Sequence, residues 1–279
     1  MNSNRLPLDF IDIDGFRIGY HRSGKGEPML LVHGITTYSF IWRQLIPSLS
    51  KQFDLIAPDL LGCGKSDKPT GVSYSIRAQA EILIKLLTKL NIEKVHLVAH
   101  DIGGGVAQIM AVTHPERIHT LTLINSIGYD YWPVQPIITM RTPVIRQLAM
   151  AIMDFGMLTS LVRRGIYHKE RVTDELMDLF RSPLKTKEGR RGFLILAKSL
   201  DNLHLMAIED KLKNMELPVL IIRGEDDVYL SPAISERLRR DIKGSRLVRI
   251  EAGGHFIQED EPEQLIEAIT SFIAEKNHA

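Results

Sequence analysis

The first half of the chain alternates short apolar runs with stretches whose apolar residues recur at helical spacing. Residues 10–13 and 16–21 flank Asp14-Gly15, a pair suited to a tight turn, and predict a β-hairpin. Residues 29–32 and 53–57 are compact apolar runs that predict buried strands, with helical spacing between them at 41–49. A strongly amphipathic helix is expected over 76–90, with Ser73 or Ser75 as its cap. A strand at 95–99, a helix at 103–113 and a strand at 121–124 continue the rhythm. Strands joined through helices of this length imply right-handed crossovers and a mainly parallel, doubly wound α/β sheet.

From 126 to 215 the pattern is helical throughout, and Met140, Met150, Met153, Met157, Met177 and Met206 fall inside it. Methionines at helical spacing mean core packing first, although they also suit an adaptable apolar pocket. The alternation resumes with a strand at 217–223, a helix at 233–242, a strand at Arg246–Ile250 and a helix at 263–275. The organisation expected is an α/β core over 1–125, a helical cap over 126–215, and the rest of the core over 216–279.

Composition narrows the classes. The 279 residues are 44% hydrophobic and 25% charged, with 35 basic against 34 acidic side chains and a net charge of +1. That balance gives no electrostatic reason for a nucleic-acid or acidic-membrane partner. Cys63 is the only cysteine, so a disulfide framework and a cysteine zinc site are excluded. No apolar run reaches a membrane span, and the N-terminal stretch is polar and acidic where a signal peptide would be basic and then apolar. A cytoplasmic location is expected.

The segment VHLVAHDIGGG (95–105) carries the chemistry. A strand enters a helix through a sharp turn, with small residues at Ala99, Gly103 and Gly104 around Asp101, as in a nucleophile elbow. An aspartate at a helix start is ordinarily a cap. Inside the elbow pattern Asp101 is better placed as a nucleophile at the ligand-binding edge of the sheet. Three further motifs accompany it: His33-Gly34-Ile35, the loop DLLGCGKSDKP (59–69), and two strand-end segments, GEDD (224–227) and GGH (253–255). Together these motifs resemble the α/β-hydrolase superfamily over nearly the whole chain. The resemblance implies that Asp101 is the nucleophile and His255 the base. It selects Asp227, over Glu225 and Asp226, as the acid that orients the histidine. It implies an oxyanion hole from the backbone N–H groups of Ile35 and Ile102. His100 reads as structural, His33 as a loop-shaping residue, Asp59, Ser66 and Asp67 as loop braces, and Cys63 as an inert small residue.

An aspartate nucleophile is already ionised at neutral pH and needs no base to activate it. It can displace a leaving group at a saturated carbon to give an alkyl ester. His255 then activates the water that cleaves this ester. Epoxides and alkyl halides are the natural electrophiles, and the resemblance offers both branches. Haloalkane dehalogenases usually place Trp after the nucleophile, and many place Asn after the His-Gly pair; Ile102 and Ile35 stand there. The Arg typical of fluoroacetate dehalogenases is missing too. Epoxide hydrolases use two lid tyrosines, where Met150 and Leu196 stand, and often His-Gly-x-Pro, where Thr36 replaces the proline. Possible donors are Tyr131 and Tyr167, then His204, Tyr129 and Tyr38. For a halide the indoles are Trp132 and Trp42, the latter expected in helix core. This inventory favours an epoxide hydrolase. A haloalkane dehalogenase is the alternative, and a catalytically silent receptor of the same fold the third. The expected partners are a small, apolar, uncharged substrate and water. No cofactor or metal is implied, because the histidines lack ligand spacing and residues 62–64 lack the ending of a phosphate loop.

Overall fold

The computed structural model describes residues 7–131 and 156–277. The Asp14-Gly15 turn folds β1 (Leu8–Ile13) back onto β2 (Phe16–Ser23), and both turn residues have positive φ, 55° and 83°. That pair of angles is what a two-residue hairpin requires for its twist to match its strands. The remaining strands are β3 (Glu27–Val32), β4 (Phe53–Pro58), β5 (Val95–Asp101), β6 (Ile118–Ser126), β7 (Val219–Gly224) and β8 (Arg246–Ile250). They form one sheet in the order β1-β2-β4-β3-β5-β6-β7-β8. The β1–β2 and β2–β4 pairs are antiparallel and all others parallel. Every residue of β5 and β7 is buried, so neither strand alternates between a core face and a solvent face.

Helix α1 (Ile76–Lys89) packs on α2 (Ile102–Thr113), and α2 packs on β5 and β6. Ser75 supplies the cap of α1, its hydroxyl accepting from Ala78 N at 3.3 Å; Ser73 instead accepts from Ser75 N. Burying Leu83, Leu86 and Leu87 on one face of α1 stabilises the fold by about 2 kcal/mol per side chain. The stretch 41–49 departs from the single helix its spacing predicts. It is split between a 3₁₀ turn (Ser39–Trp42) and a short helix (Ile46–Leu49). Pro47 has no N–H to donate and fits only the first turn of a helix, so a new helix starts at Ile46.

Between β6 and β7 no strand occurs among the described residues. Helices α3 (Leu158–Gly165), α4 (Asp174–Arg181) and α5 (Lys187–Ser199) occupy this stretch, followed by short helices at Leu203–Met206 and Glu209–Lys213. Thr173 and Thr186 cap α4 and α5 through their hydroxyls. Met177 is fully buried as a core residue, whereas Met206 is exposed. Met140, Met150 and Met153 lie outside the described residues. Helix α6 (Pro232–Asp241) packs on β7, and α7 (Pro262–Asn277) ends the described chain. Among the described residues no helix is long and apolar enough to cross a membrane.

Candidate active site

Strand β5 ends on Asp101, whose backbone sits at φ 54°, ψ −121°. An L-residue is strained there. A helix-capping aspartate would be extended and would accept from a first-turn N–H, but Asp101 has no side-chain cap bond. Its carboxylate instead accepts the N–H of Ile35 at 2.8 Å, across from the loop after β3, and the Ile102 N–H bears on the same carboxylate. The strained turn therefore aims the side chain across the sheet edge, toward the loop after β3.

Glycines make this approach possible. A Cβ on Gly34 would lie 2.6 Å from Asp101 Oδ2, and one on Gly103 would lie 2.5 Å from the carbonyl oxygens of Val32 and His33. The carboxylate and helix α2 thus occupy space that any larger residue at these two positions would claim. Burial raises the pKa of Asp101; the nearby His255 and the N–H groups of Ile35 and Ile102 oppose that rise.

His255 follows β8 and its Nδ1 lies 3.0 Å from Asp227 Oδ2. The other carboxylate oxygen of Asp227 accepts the N–H groups of Tyr229 at 2.8 Å and Leu230 at 3.1 Å. Arg223, buried at the end of β7, stands 3.6 Å from Asp227 and holds the turn through the carbonyls of Leu230 and Asp227. Burial alone would raise the pKa of Asp227, but His255, these hydrogen bonds and Arg223 hold it below the ordinary range. Burial likewise disfavours a charged His255, yet the Asp227 charge, its hydrogen bond and the Asp101 charge together raise its pKa. Asp101, Asp227 and His255 are thus electrostatically linked and all buried.

His100 does not face Asp101. Its Nε2 donates to the backbone carbonyl of His255 at 2.8 Å, and burial depresses its pKa to about 3, so the ring is neutral. His33 joins two loops, with Nδ1–H donating to Gly34 O and Nε2 accepting from Leu60 N. Asp59 accepts from Ser39 N and Lys65 N, Ser66 bonds Asp59 O and Gly19 N, and Asp67 accepts from Arg17 N. Cys63 is buried, and that burial pushes its thiol up to about 12.

The expected donors do not converge on the carboxylate. Tyr129 is buried elsewhere, with the Arg237 guanidinium 3.8 Å from its ring centre and Asp241 beside its hydroxyl. The reason is the chain direction after β6: a positive φ at Tyr129 turns it onto α6. Tyr131 and Tyr167 are 40% and 46% exposed, and Tyr167 stacks edge-on to His168. His204 is partly exposed on its short helix, and Tyr38 packs on Phe40. Trp42 is sealed in the core. Trp132 lies outside the described residues.

Sequence reasoning passed over Tyr229. Its ring packs edge-on against His255, centres 5.3 Å apart, and its hydroxyl donates to Leu161 O of α3 at 2.6 Å. Its place in the Asp227 turn was a usable signal. Asn125 was also missed. Its amide nitrogen donates to the carbonyls of Gly254 and His255, and its oxygen accepts from Gly224 N, so it ties the ends of β6 and β7 to the histidine loop. A lone amide inside the apolar run of β6 is the trace it leaves in the sequence.

An aromatic wall runs from His255 through Phe256 and Phe180 to Phe40, with successive centres 5.0 Å apart. A cavity of about 30 Å³ lies between Thr36-Thr37, the 62–64 loop, and Phe180, Leu184 and Phe193. A wider cleft of about 330 Å³ opens next to it, lined by Arg17, Lys65, Asp67, Lys68, Glu188 and Arg191 among others. Among the described residues no group of three or more His, Cys, Asp or Glu side chains is set to hold a metal.

Comparison with known proteins identifies the fold. Residues 27–262 match the family described as alpha/beta hydrolase fold. The chain is 30% identical to haloalkane dehalogenase 2 of Mycobacterium tuberculosis, over 91% of this chain and 90% of that protein. The structure of haloalkane dehalogenase DbeA from Bradyrhizobium elkani superposes with a TM-score of 0.87 at 27% identity, covering 98% and 99% of the two chains. Epoxide hydrolase CorEH shares the fold at a TM-score of 0.84 and 23% identity, covering 96% and 98%.

Proposed function

The chain belongs to the alpha/beta hydrolase fold family, and from that premise we propose that it hydrolyses strained-ring oxygen electrophiles, epoxides first, through a covalent ester on Asp101. The observation that carries the proposal is the Asp101 carboxylate held on Ile35 N–H opposite the His255–Asp227 pair. Asp101 attacks a saturated ring carbon and the C–O bond breaks. The ring oxygen takes a proton and becomes a hydroxyl, while the carbon is esterified to Asp101. His255, oriented by Asp227, removes a proton from water, which adds to the ester carbonyl carbon. The N–H groups of Ile35 and Ile102 stabilise the resulting oxyanion. Collapse expels the alkoxide, which takes the proton from His255 and leaves as a vicinal diol, and Asp101 ionises as the acid that served the ring oxygen regains its proton. The described helices between Leu158 and Lys213 belong to the cap expected over this edge, and the acid for the opening ring is not among the tyrosines of the described residues that the sequence singled out.

An epoxide is favoured over a halide because the side chains beside Asp101 offer no halide donors. A departing halide needs converging N–H groups, but Ile35 and Ile102 have no side-chain donor and Trp42 is fully buried in the core. The second reading, a haloalkane dehalogenase, is favoured by the 30% identity to haloalkane dehalogenase 2. Incubation with styrene oxide and, separately, a 1-bromoalkane separates the two. Diol formation without bromide release is the expected result, and bromide release without diol formation overturns the epoxide assignment.

A further inference from the structure

Asp260 is a carboxylate with no exposed surface, and it has no part in the chemistry just described. Its Oδ2 accepts the N–H of Gly254, the residue before His255, at 2.9 Å. Its Oδ1 accepts the N–H groups of Tyr167 and His168, both at 2.9 Å, and Tyr167 N also lies 3.0 Å from Oδ2. One buried carboxylate therefore joins the histidine loop to the backbone that leaves α3. Backbone N–H groups bound to an ionised acceptor form short, strong bonds that fix position.

The same junction is closed on the other side of His255. Phe256 N donates to Gly165 O at 3.2 Å. A Cβ on Gly254 would lie 2.4 Å from Gly165 O, so the two backbones touch directly. The histidine's backbone is thus gripped before and after by residues 165–168, in addition to the bonds from His100 and Asn125 to its own carbonyl. Tyr229 OH to Leu161 O and Arg171 to Glu259 O extend the seam in both directions.

We propose that Asp260 is a positioning residue that fixes His255 by locking the Gly254 N–H to the 165–168 backbone, so that the ester-cleaving step depends on how that inserted segment is seated. The inference rests on the two-step hydrolase reading above. Asp101 is held by a separate set of contacts, from the N–H groups of Ile35 and Ile102, so loosening Asp260 acts on the second step and spares the first.

The test measures the two steps separately in Asp260→Asn. The amide keeps the shape but turns an N–H₂ group toward backbone donors. Rapid quench with styrene oxide followed by intact mass gives the rate of alkylation and the rate of ester cleavage. Alkylation within about twofold of wild type, with ester cleavage slowed at least tenfold and alkyl-enzyme accumulating in the steady state, is the expected result. A general structural defect would slow both steps together, and that outcome overturns the proposal, as does wild-type ester cleavage. If Asp260→Asn does not fold, Gly254→Ala forces the same two backbones apart and carries the same two-rate readout. Absence of any alkyl-enzyme in His255→Gln would instead refute the underlying nucleophile assignment.

Discussion

His255 Nδ1 and Asp227 Oδ2 stand 3.0 Å apart, and the remaining oxygen of Asp227 is fixed by two backbone N–H groups of its own turn. The acid therefore cannot rotate away, and the imidazole is held with Nε2 free of this pair. Asp227 and Asp101 both raise the pKa of His255, against the effect of burial. A base must be neutral to take a proton, so a raised pKa moves the onset of activity to higher pH. Ester cleavage, followed in single turnovers from pH 5 to 9, is expected to rise with pH as His255 loses its proton; in the alkyl-enzyme Asp101 is an uncharged ester, so this limb lies below the His255 titration of the free enzyme. Asp227→Asn removes the largest charge that raises this pKa, so the limb moves to lower pH while cleavage slows by at least about 100-fold.

Gly34→Ala places a methyl group 2.6 Å from Asp101 Oδ2 and 2.7 Å from its Cβ. The carboxylate must leave the Ile35 N–H, and misplacement on this scale costs about 100-fold in rate. Burst kinetics should show slowed alkylation. Ester cleavage, measured on enzyme that has been alkylated, should fall less.

Arg43 meets the buried carboxylate of Glu259 through both terminal nitrogens, one at 2.8 Å, and Gln44 adds a contact at 3.2 Å. Removing one partner of a buried pair leaves the other charge without compensation. Arg43→Met is expected to lower stability by about 3 kcal/mol in urea unfolding. Lys85→Met, which breaks an exposed pair with Asp14, should change it by less than about 1 kcal/mol.

Much of the fold was legible because its signals are local. The Asp14-Gly15 turn, the apolar runs of β3 to β7 and the amphipathic α1 each show within a few residues, and so does the elbow at Asp101. Contacts that join distant segments are not specified within a few residues, so a marker such as Asn125 or Tyr229 shows in the sequence without showing its partner. Asp260 to Tyr167, Asn125 to His255 and Tyr229 to Leu161 each link residues far apart in sequence. Side-chain direction was equally hidden. Tyr129 and Tyr167 are tyrosines near the right elements, yet one turns onto α6 and the other lies half exposed. Residue type states what a side chain can donate, while the backbone angle before it decides where it points.

Cys63 is buried and its thiol is held up to about 12, so almost none is thiolate at neutral pH. At pH 8 an aromatic disulfide reagent should label the native protein only as fast as the protein unfolds. Denatured protein should react at once, and a fast native reaction would show that the 62–64 loop opens readily.

The source of the oxygen in the product tests the central claim most directly. Enzyme in excess over styrene oxide, in ¹⁸O-labelled water, performs one turnover. If Asp101 attacks carbon, the new hydroxyl carries the unlabelled oxygen of its carboxylate, and the label appears in the peptide that contains Asp101. The account predicts an unlabelled first-turnover diol and a labelled Asp101 peptide. A fully labelled diol with an unlabelled peptide would mean that water attacks the substrate directly, and it would contradict the covalent ester.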